Sequence, residues 1–545
     1  MQGFAGTSGP RSNFRALALV ALVIAAVVSY SNSFNCEFHF DDFHQFVQNP
    51  NMKDPGNIPR FFTSAEMASQ MEELRGYRPL TYASYALNHA ISGDGVTGYH
   101  IVNFLLHLAN ILLVFLAVGA VFRKSGREDP FYPALFAAAV FALHPVQTGA
   151  VTYLSARSAL LASLFYLAAF YVYVRHRESG KTCLLAMSAG LYLLGLLSKE
   201  TAVSLPALIL VYELMFAEGG AASRLKGALP RLLPFIAVLA AFLLARRYLL
   251  QGFVTGEQFT HTVGEYFISE ARVLLLYLRL LLLPVNQNAD YDLPVSAAVG
   301  LREALGFAAA GLMIVLAYLG RKKYPAPSFF GAWFLVALAP ESSLVPITDI
   351  AVEYRLYLPL AGFAGFAASS WDILPVRRAF KVSAAAAALA LLCALTFARN
   401  GVWATEYTLW SDAARKAPYS ARTHANLGSA LMHRGEYARA VEELTRSLDI
   451  DPMYDQSYNV YNNIGYCFYN LGMPEEALGQ FQVAVKVFPG YVEGYENMGW
   501  MYFELGRYAE AKDALERALL LRPDYEPARL KLEKVRSKMA DFFPK

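Results

Sequence analysis

Long apolar runs alternate with short polar stretches over the first 400 residues of the chain. Runs such as 16–30, 101–122 and 232–250 each approach the roughly 20 residues that a helix needs to cross the hydrocarbon of a bilayer. They predict membrane-spanning helices. From 421 onward the pattern becomes polar and periodic, so the chain is predicted to form a membrane domain over 1–400 and a second domain over 401–545.

The composition strengthens this prediction. Hydrophobic residues make up 56% of the 545 residues and charged residues 17%, whereas soluble domains average roughly 45–50% and about 25%. These values argue against a soluble protein. The net charge is only +3, and the basic residues are scattered between apolar segments instead of forming the clustered patch typical of nucleic-acid binding. We therefore expect no nucleic-acid partner.

The basic residues between the apolar runs predict an orientation, because cytoplasmic loops are enriched in Lys and Arg. They form six clusters, at 11–15, 123–127, 175–181, 224–231, 321–323 and 377–381. All six lie on the cytoplasmic side if the chain crosses eleven times, at 13–33, 99–122, 131–147, 151–174, 182–198, 201–217, 232–250, 300–320, 328–340, 354–371 and 382–399. The N-terminus, predicted to be an uncleaved signal anchor, is then cytoplasmic, and 400–545 lies outside.

Two features qualify this scheme. The apolar stretch 271–285 must not cross, and its charged residues Glu270, Arg272 and Arg279 suit an interfacial helix better. Arg246 and Arg247 lie near the outer end of their segment, where the charge rule would not place them. The first outer loop, 34–98, is long and is acidic at its start.

The polar C-terminal part contains a repeat. Ala425-Asn-Leu-Gly428, Asn463-Ile-Gly465 and Asn497-Met-Gly499 place three glycines 37 and 34 residues apart, and 34 residues is the period of the tetratricopeptide repeat (TPR). The predicted units are a half repeat at 401–420, repeats at 421–454, 458–491 and 492–525, and a polar capping helix at 526–538, as such arrays need. The fold class is therefore all-α: a polytopic membrane domain followed by a TPR solenoid.

TPR grooves generally bind peptides or proteins, so a partner of this kind is expected. Tyr461, Tyr495 and Tyr502 lie inside the predicted helical pairs. They are compatible with a binding groove and equally with the large core residues that every repeat requires.

Candidate chemistry begins just beyond the first helix, where Asp41 and Asp42 stand among aromatic residues at the predicted outer membrane surface. A carboxylate there could act as a general base toward an acceptor hydroxyl. Taken alone, the two adjacent carboxylates are equally compatible with the solvated end of an acidic loop.

Further polar residues occur within or at the outer ends of the apolar segments. They are His100, Asn103, His107, His144, Arg157, Lys199, Glu200, Glu341 and Arg355. Ionisable groups at membrane depth cost roughly 2.5–3.5 kcal/mol each on insertion scales, so they usually face a partner or a functional cavity. Most of this set falls on the same predicted side as Asp41, where cations could hold a lipid phosphate while a carboxylate works above it. Pairing between helices is the alternative.

These residues belong to longer motifs. They are Phe40-Asp-Asp-Phe-His44, Tyr77-Arg-Pro-Leu-Thr81, Gly98-Tyr-His-Ile-Val-Asn103, Leu143-His-Pro-Val-Gln-Thr148, Tyr153-Leu-Ser-Ala-Arg157, Lys199-Glu-Thr201 and Tyr354-Arg-Leu-Tyr-Leu-Pro359. In this order, and with a TPR tail, the chain resembles the TMTC-type O-mannosyltransferases, class C (GT-C) glycosyltransferases. The resemblance covers nearly the whole chain.

The resemblance implies transfer of a sugar from a polyprenyl-phosphate donor to Ser or Thr hydroxyls on the extracytoplasmic face, with or without a divalent metal. It maps the catalytic acidic motif onto Asp41 and Asp42, with Asp41 as the base. It places the donor phosphate at Arg157 and Arg355, with His144 and Lys199 as helpers. Supporting positions are Arg78, His100, Glu200 and Glu341.

The tail is short compared with animal members of that family, which indicates a bacterial protein of the inner membrane with its TPR domain in the periplasm. The sugar stays open. Two alternatives remain: a GT-C enzyme that glycosylates lipid or glycan, and a non-enzymatic membrane scaffold whose TPR module assembles an export or surface complex. A transporter is disfavoured, because transport sites lie near the bilayer midplane between repeated halves.

Overall fold

The fold is helical throughout the residues that the computed structural model describes, which are 10–69, 76–250, 262–342, 346–347 and 349–542. The predicted all-α class is confirmed. The chain divides into two compact units: Met1–Gln287 with Leu293–Thr405, and Asn288–Asp292 with Glu406–Lys545.

The first unit contains the apolar helices. Its α-helices are α1 (Pro10–Tyr30), α2 (Ile58–Phe61), α3 (Pro79–Ser92), α4 (Val96–Lys124), α5 (Phe131–Leu143), α6 (Thr148–Val151), α7 (Arg157–Ser179), α8 (Thr182–Ser198), α9 (Leu205–Phe216), α10 (Ala221–Leu249), α11 (Val263–Leu282), α12 (Leu301–Gly320), α13 (Pro325–Leu338), α14 (Pro359–Ile373) and α15 (Arg378–Val402). Short 3₁₀ or π turns lie at Phe43–Val47, Pro50–Lys53, Pro55–Asn57, Ala65–Met67, Pro145–Gln147, Leu154–Ala156, Glu200–Ser204 and Glu353–Leu356.

Several of these helices are long and apolar enough to cross a membrane. Within the described ranges six qualify: Asn13–Tyr30, Val96–Lys124, Leu154–Ser179, Ala221–Leu249, Leu301–Gly320 and Arg378–Val402. A seventh arises if Phe131–Leu143 and Pro145–Val151, bent by 52°, form one span, and α8 and α13 are shorter apolar helices. Each of the eleven predicted crossings overlaps a helix, while the number of spans stays a prediction.

The predicted crossing at 131–147 ends earlier than expected. Helix α5 stops at Leu143, and His144 has an extended backbone (φ −76°, ψ 127°). Pro145 explains the break, because a proline disfavours the helical conformation of the residue before it. The next predicted crossing, at 151–174, corresponds to helix α7, which begins later than predicted, at Arg157.

Glycines allow two helix pairs to pack backbone to backbone. A Cβ on Gly306 of α12 would lie 1.8 Å from the carbonyl oxygen of Ala271 in α11, and a Cβ on Gly362 of α14 would lie 2.6 Å from the backbone nitrogen of Phe334 in α13. Small residues at such crossings let helices associate closely within a membrane.

Helix α11, which covers most of the stretch predicted to be interfacial, is not among the candidate spans.

The first predicted outer loop, 34–98, folds in its described part into short helices and α3. Phe46, Met52 and Phe61 are buried there against Tyr85 of α3 and Leu154 before α7. Phe46 stacks on Tyr85 with ring centroids 4.4 Å apart. This hydrophobic core fixes the loop on the ends of the spanning helices.

The second unit is an array of helical hairpins. Its helices are α16 (Glu406–Lys416), α17 (Ala421–His433), α18 (Tyr437–Ile450), α19 (Ser457–Asn470), α20 (Pro474–Val487), α21 (Val492–Glu504), α22 (Tyr508–Leu521) and α23 (Glu526–Phe542). The three repeat glycines lie where the paired helix approaches: a Cβ on Gly428, Gly465 or Gly499 would meet a side-chain carbon of Leu444, Phe481 or Leu515 at 2.5–2.8 Å. Of the tyrosines considered for a groove, Tyr495 and Tyr502 are half-buried against the core of the last hairpin.

Candidate active site

The acidic motif is held in a strained turn directly after α1. Phe40 has a left-handed backbone (φ 47°), which is uncommon for a residue with a bulky side chain. The Nε2 atom of His39 lies 2.8 Å from the carbonyl oxygen of Trp403, and the Phe40 ring packs edge-on against Tyr153 and Trp403. Strain of this kind persists only where the surroundings over-determine it, and it clusters at functional sites.

Asp42 anchors the turn. Its side chain is fully buried and accepts hydrogen bonds from the backbone N–H of His39 (2.9 Å), the backbone N–H of Ser155 (2.8 Å) and the Ser155 hydroxyl. Burial raises the pKa of Asp42 to about 7, although these three hydrogen bonds oppose the rise. Because protein donors occupy both carboxylate oxygens, Asp42 is suited to positioning the loop.

Asp41, its neighbour, faces the other way. Its side chain is 54% exposed. One carboxylate oxygen accepts from the Tyr153 hydroxyl at 2.9 Å, and the other lies 3.2 Å from Nε2 of His44. Desolvation pushes the pKa of Asp41 upward, but the hydrogen bond and charge of His44, the Tyr153 hydroxyl and the charge of Arg78 together hold it below its ordinary value. Asp41 is therefore an ionised, oriented and accessible carboxylate.

Two cations of this region each have an acidic partner, and the charge of one of them, Arg78, acts on Asp41. Arg78 makes a two-pronged contact with Glu200, with Nε–Oε2 3.2 Å and Nη2–Oε1 2.9 Å, and both side chains are partly exposed. Lys199 pairs with Glu341 at 2.6 Å, and its ammonium lies 4.9 Å from the ring centroid of Tyr354.

Tyr354 connects the two halves of this cluster. Its ring centroid is 6.4 Å from that of Tyr153, whose hydroxyl binds Asp41. The structure thus brings Asp41, Arg78, Lys199, Glu200 and Glu341 into one polar region. We call these five residues, with Tyr153 and Tyr354, the outer polar cluster.

Arg355 lies beside this cluster but is turned into the protein. Its side chain is almost fully buried, and it donates to the carbonyl oxygens of Ile350 (2.7 Å) and Asp349 (2.5 Å), with a carboxylate oxygen of Glu270 3.8 Å away. The pairing with Glu270 was not foreseen, because Glu270 was assigned only to an interfacial helix.

Arg157 is placed differently from the expectation. Its side chain is fully buried, with Nε donating to the amide oxygen of Asn103 (2.7 Å) and Nη2 to that of Asn88 (2.8 Å) and to the backbone of Tyr99 (3.1 Å). The guanidinium also lies 4.6 Å from the ring centroid of Tyr85. These contacts join α3, α4 and α7, which favours a structural role for Arg157 over a phosphate ligand.

We expect Arg157→Lys to destabilise the protein rather than to weaken donor binding. A single ammonium cannot replace two separated donors, and each buried acceptor left unsatisfied costs about 1–3 kcal/mol. The midpoint of thermal unfolding in detergent measures this, with the exposed Arg247→Lys as the control. An unchanged midpoint together with a higher donor KM would return Arg157 to the donor site.

The two histidines chosen from the sequence make hydrogen bonds inside the protein. Nε2 of His144 lies 3.1 Å from the carbonyl oxygen of Leu281, and its Nδ1 accepts from the backbone N–H of Val146. Nε2 of His100 lies 3.0 Å from the carbonyl oxygen of Cys36. In the part of the chain that the structure describes, no three His, Cys, Asp or Glu side chains converge as a set of metal ligands.

Sequence reasoning missed the residues that orient Asp41. Tyr153 and His44 bind its carboxylate, and Tyr354 links it to Lys199. All three lie within the quoted motifs, close in sequence to charged residues, and this proximity could have identified them as candidates. Proximity in sequence does not predict tertiary contacts over more than 100 residues, such as that of Tyr153 with Asp41.

Taken together, the two units define a polytopic membrane protein with an ordered acidic loop and a helical-repeat tail. The tail consists of TPR repeats: residues 408–455, 463–491 and 492–525 each match a tetratricopeptide repeat family.

Over most of its length the chain is similar to proteins that are named O-mannosyl-transferases. It is 26% identical over 524 residues to human "Protein O-mannosyl-transferase TMTC3", covering 88% of this chain and 56% of the relative. It is 27% identical over 465 residues to Caenorhabditis elegans "Protein O-mannosyl-transferase F38B6.6", covering 80% and 63%. The resemblance inferred from the motifs is thereby confirmed. The chain spans little more than half the length of these relatives.

Several solved TPR structures resemble part of the chain. A structure described as "First TPR of Spaghetti (RPAP3) bound to HSP90 peptide SRMEEVD" is 26% identical and covers 22% of this chain and 94% of that one, with a TM-score of 0.21. "Crystal structure of YrrB: a TPR protein with an unusual peptide-binding site" is 18% identical and covers 41% and 90%, with a TM-score of 0.22.

Proposed function

We propose that this protein is a membrane glycosyltransferase that moves a sugar from a polyprenyl-phosphate donor to Ser or Thr hydroxyls of exported proteins. The observation that carries the proposal is Asp41, an ionised and 54% exposed carboxylate oriented by Tyr153 and His44 beside the cations of the outer polar cluster. The similarity to proteins named O-mannosyl-transferases supports it.

In the proposed reaction Asp41 accepts the proton of the acceptor hydroxyl as its oxygen attacks the anomeric carbon of the donor sugar. The bond between that carbon and the phosphate oxygen breaks, and polyprenyl phosphate leaves. A general base positioned in this way typically contributes about 10²–10⁴-fold. The low pKa of Asp41 keeps it ionised and ready to accept the proton at neutral pH.

The cations suited to the donor phosphate are Arg78 and Lys199. Each is paired with a carboxylate that a phosphate could share or displace: Arg78 with Glu200, where both side chains are partly exposed, and Lys199, itself buried, with Glu341. Arginine offers a planar fork that matches phosphate oxygens, and lysine offers a point charge. Arg355 would support them from the protein side. Arg157 and His144, which make buried hydrogen bonds, are assigned to positioning in this proposal.

Acceptor capture is proposed for the TPR domain, since such repeats offer extended surfaces for partners. The sugar is proposed to be a hexose.

The experiment that tests the proposal is mass spectrometry of exported proteins from cells with and without this gene. We expect hexose on Ser or Thr residues of a defined set of exported proteins only when the gene is present. Sugar changes confined to lipid or glycan would instead favour the related GT-C activity, and unchanged glycosylation with a lost surface assembly would favour the scaffold.

We further propose that the protein lies in a bacterial inner membrane with its N-terminus in the cytoplasm and its TPR domain in the periplasm. Six basic clusters on one side support this orientation. A reporter active only outside the cytoplasm, fused after Lys545, should be active. Activity of a cytoplasm-specific reporter at the same position would overturn the orientation.

A further inference from the structure

A groove lies in the membrane unit, and its lining contains no residue of the outer polar cluster. It has a volume of about 1040 Å³ and runs between α1, α5 and α15. Its walls are mostly apolar, with Ala21 and Ala25 of α1, Ala385 and Ala386 of α15, Phe136 of α5 and Trp371 of α14 among the lining residues. We call it the alanine groove.

The length of the groove suits an acyl chain. Along α15 it extends from Arg378 to Cys393, fifteen residues at 1.5 Å each, or about 22 Å. One leaflet of a bilayer is about 15 Å of hydrocarbon, half of a core of about 30 Å. The groove is therefore long enough to hold the full length of an acyl chain from one leaflet.

One end of the groove is basic. Arg127, Arg378 and Lys381 line it together with Asp129. The Asp129 carboxylate binds Arg15 of α1 at 2.7 Å, so its charge is already offset by a fourth cation. Arg378 is exposed at the start of α15. The mouth thus has a net positive charge, whereas the groove behind it is apolar.

This combination is complementary to an amphiphile with a negatively charged head. A transmembrane helix of a partner would match the apolar wall but would gain nothing from three cations at its end. Basic pockets between membrane helices commonly bind anionic lipid headgroups. We propose that the alanine groove binds a phospholipid with an anionic headgroup, its acyl chain against the alanines and its phosphate at Arg378 and Lys381.

The lipid would be distinct from the sugar donor. The basic mouth is next to Arg15 near the start of α1, while Asp41 follows the end of α1 at Tyr30. Fifteen residues of helix separate Arg15 from Tyr30, or about 22 Å. The inference consequently does not rest on the proposed function.

The charge of the mouth is tested by lipid titration of the purified full-length protein in detergent, read by native mass spectrometry. Phosphatidylglycerol is the anionic probe and phosphatidylcholine the neutral one. Each basic residue near a membrane contributes roughly fivefold toward anionic lipid. The pair Arg378→Gln and Lys381→Gln should therefore weaken phosphatidylglycerol binding by roughly 25-fold and leave phosphatidylcholine binding unchanged. The pair Arg321→Gln and Lys322→Gln, outside the groove, should change neither.

The groove itself is tested by filling it. Ala386→Phe should abolish retention of phosphatidylglycerol, whereas Ala387→Phe, exposed on the same helix but outside the groove lining, should not. Equal binding by all variants, or equal loss in the matched controls, would overturn the proposal. A change from dimer to monomer in Ala386→Phe without any change in lipid binding would also overturn it, in favour of a second copy of the chain.

Discussion

Asp41→Asn should lower the rate of sugar transfer by about 10²–10⁴-fold, the usual contribution of a general base, while the protein stays inserted and folded. Asparagine matches the shape of aspartate and can still accept from the Tyr153 hydroxyl, but it cannot take up a proton. The measurement is turnover by the purified protein with polyprenyl-phosphate-linked mannose and a Ser/Thr peptide. Thermal unfolding of the same sample reports on folding.

Two control variants make this result interpretable. Asp94→Asn changes a carboxylate of the same loop that is 70% exposed and binds Lys53, so transfer should be unaffected. Asp42→Asn presents an amide N–H₂ to the donors from His39 and Ser155, and should reduce stability by about 1–3 kcal/mol. Full turnover in Asp41→Asn would remove the general base from the proposal and make the scaffold the better explanation.

Deletion of residues 406–545 should spare transfer to a short peptide and lower transfer to the natural acceptor protein by about 10²-fold or more. The first unit, which ends at Thr405, contains the whole outer polar cluster. A tethered binding domain raises the effective concentration of its ligand, and the resulting gain can reach about 10²–10⁴-fold. Initial rates on both acceptors, measured side by side, give the ratio.

The deletion also removes Arg422, which is the ion-pair partner of Asp290 in the loop before α12, so one further variant is needed. Arg422 binds Asp290, with Nε–Oδ2 2.8 Å, and both belong to the second unit. Full-length Arg422→Gln removes this ion pair while the TPR domain stays in place, and it should leave both rates close to normal. If the deletion instead lowers both rates equally, the TPR domain is a structural part of the catalytic unit and does not select acceptors.

Much of the fold was predictable because its signals are local. Each apolar run that was predicted to cross the membrane overlaps a helix of the structure. The spacing of Gly428, Gly465 and Gly499 predicted the TPR hairpins. Helix ends were less predictable: α5 stops before Pro145, whereas the apolar run continues past it. The folded core of the first loop was not predicted, since its residues Phe46 and Tyr85 are 39 positions apart.

The candidate site was predictable in position but not in roles. Asp41 and Asp42 are adjacent in sequence, yet the left-handed backbone at Phe40 lets one carboxylate face outward and the other inward. Arg157 and Lys199 were both assigned to the donor phosphate because they lie at the outer ends of predicted crossings and match basic positions of the family's motifs. Only their partners distinguish them: two amide oxygens from other helices for Arg157, and the carboxylate of Glu341, whose side chain is 16% exposed, for Lys199.

The turn that holds Asp41 also sets an order of events during synthesis. His39 contacts Trp403, 364 residues later in the chain, and Asn400 beside it donates to the carbonyl oxygen of Ser29 at 2.9 Å. At about 5–20 residues per second, a ribosome needs roughly 20–70 s to reach Trp403 after making His39. During that interval Asp41 has already been translated, but the turn lacks its anchor. The nascent chain should therefore be inactive until the last apolar helix is complete, so a product truncated before it would occupy the membrane without catalysing transfer.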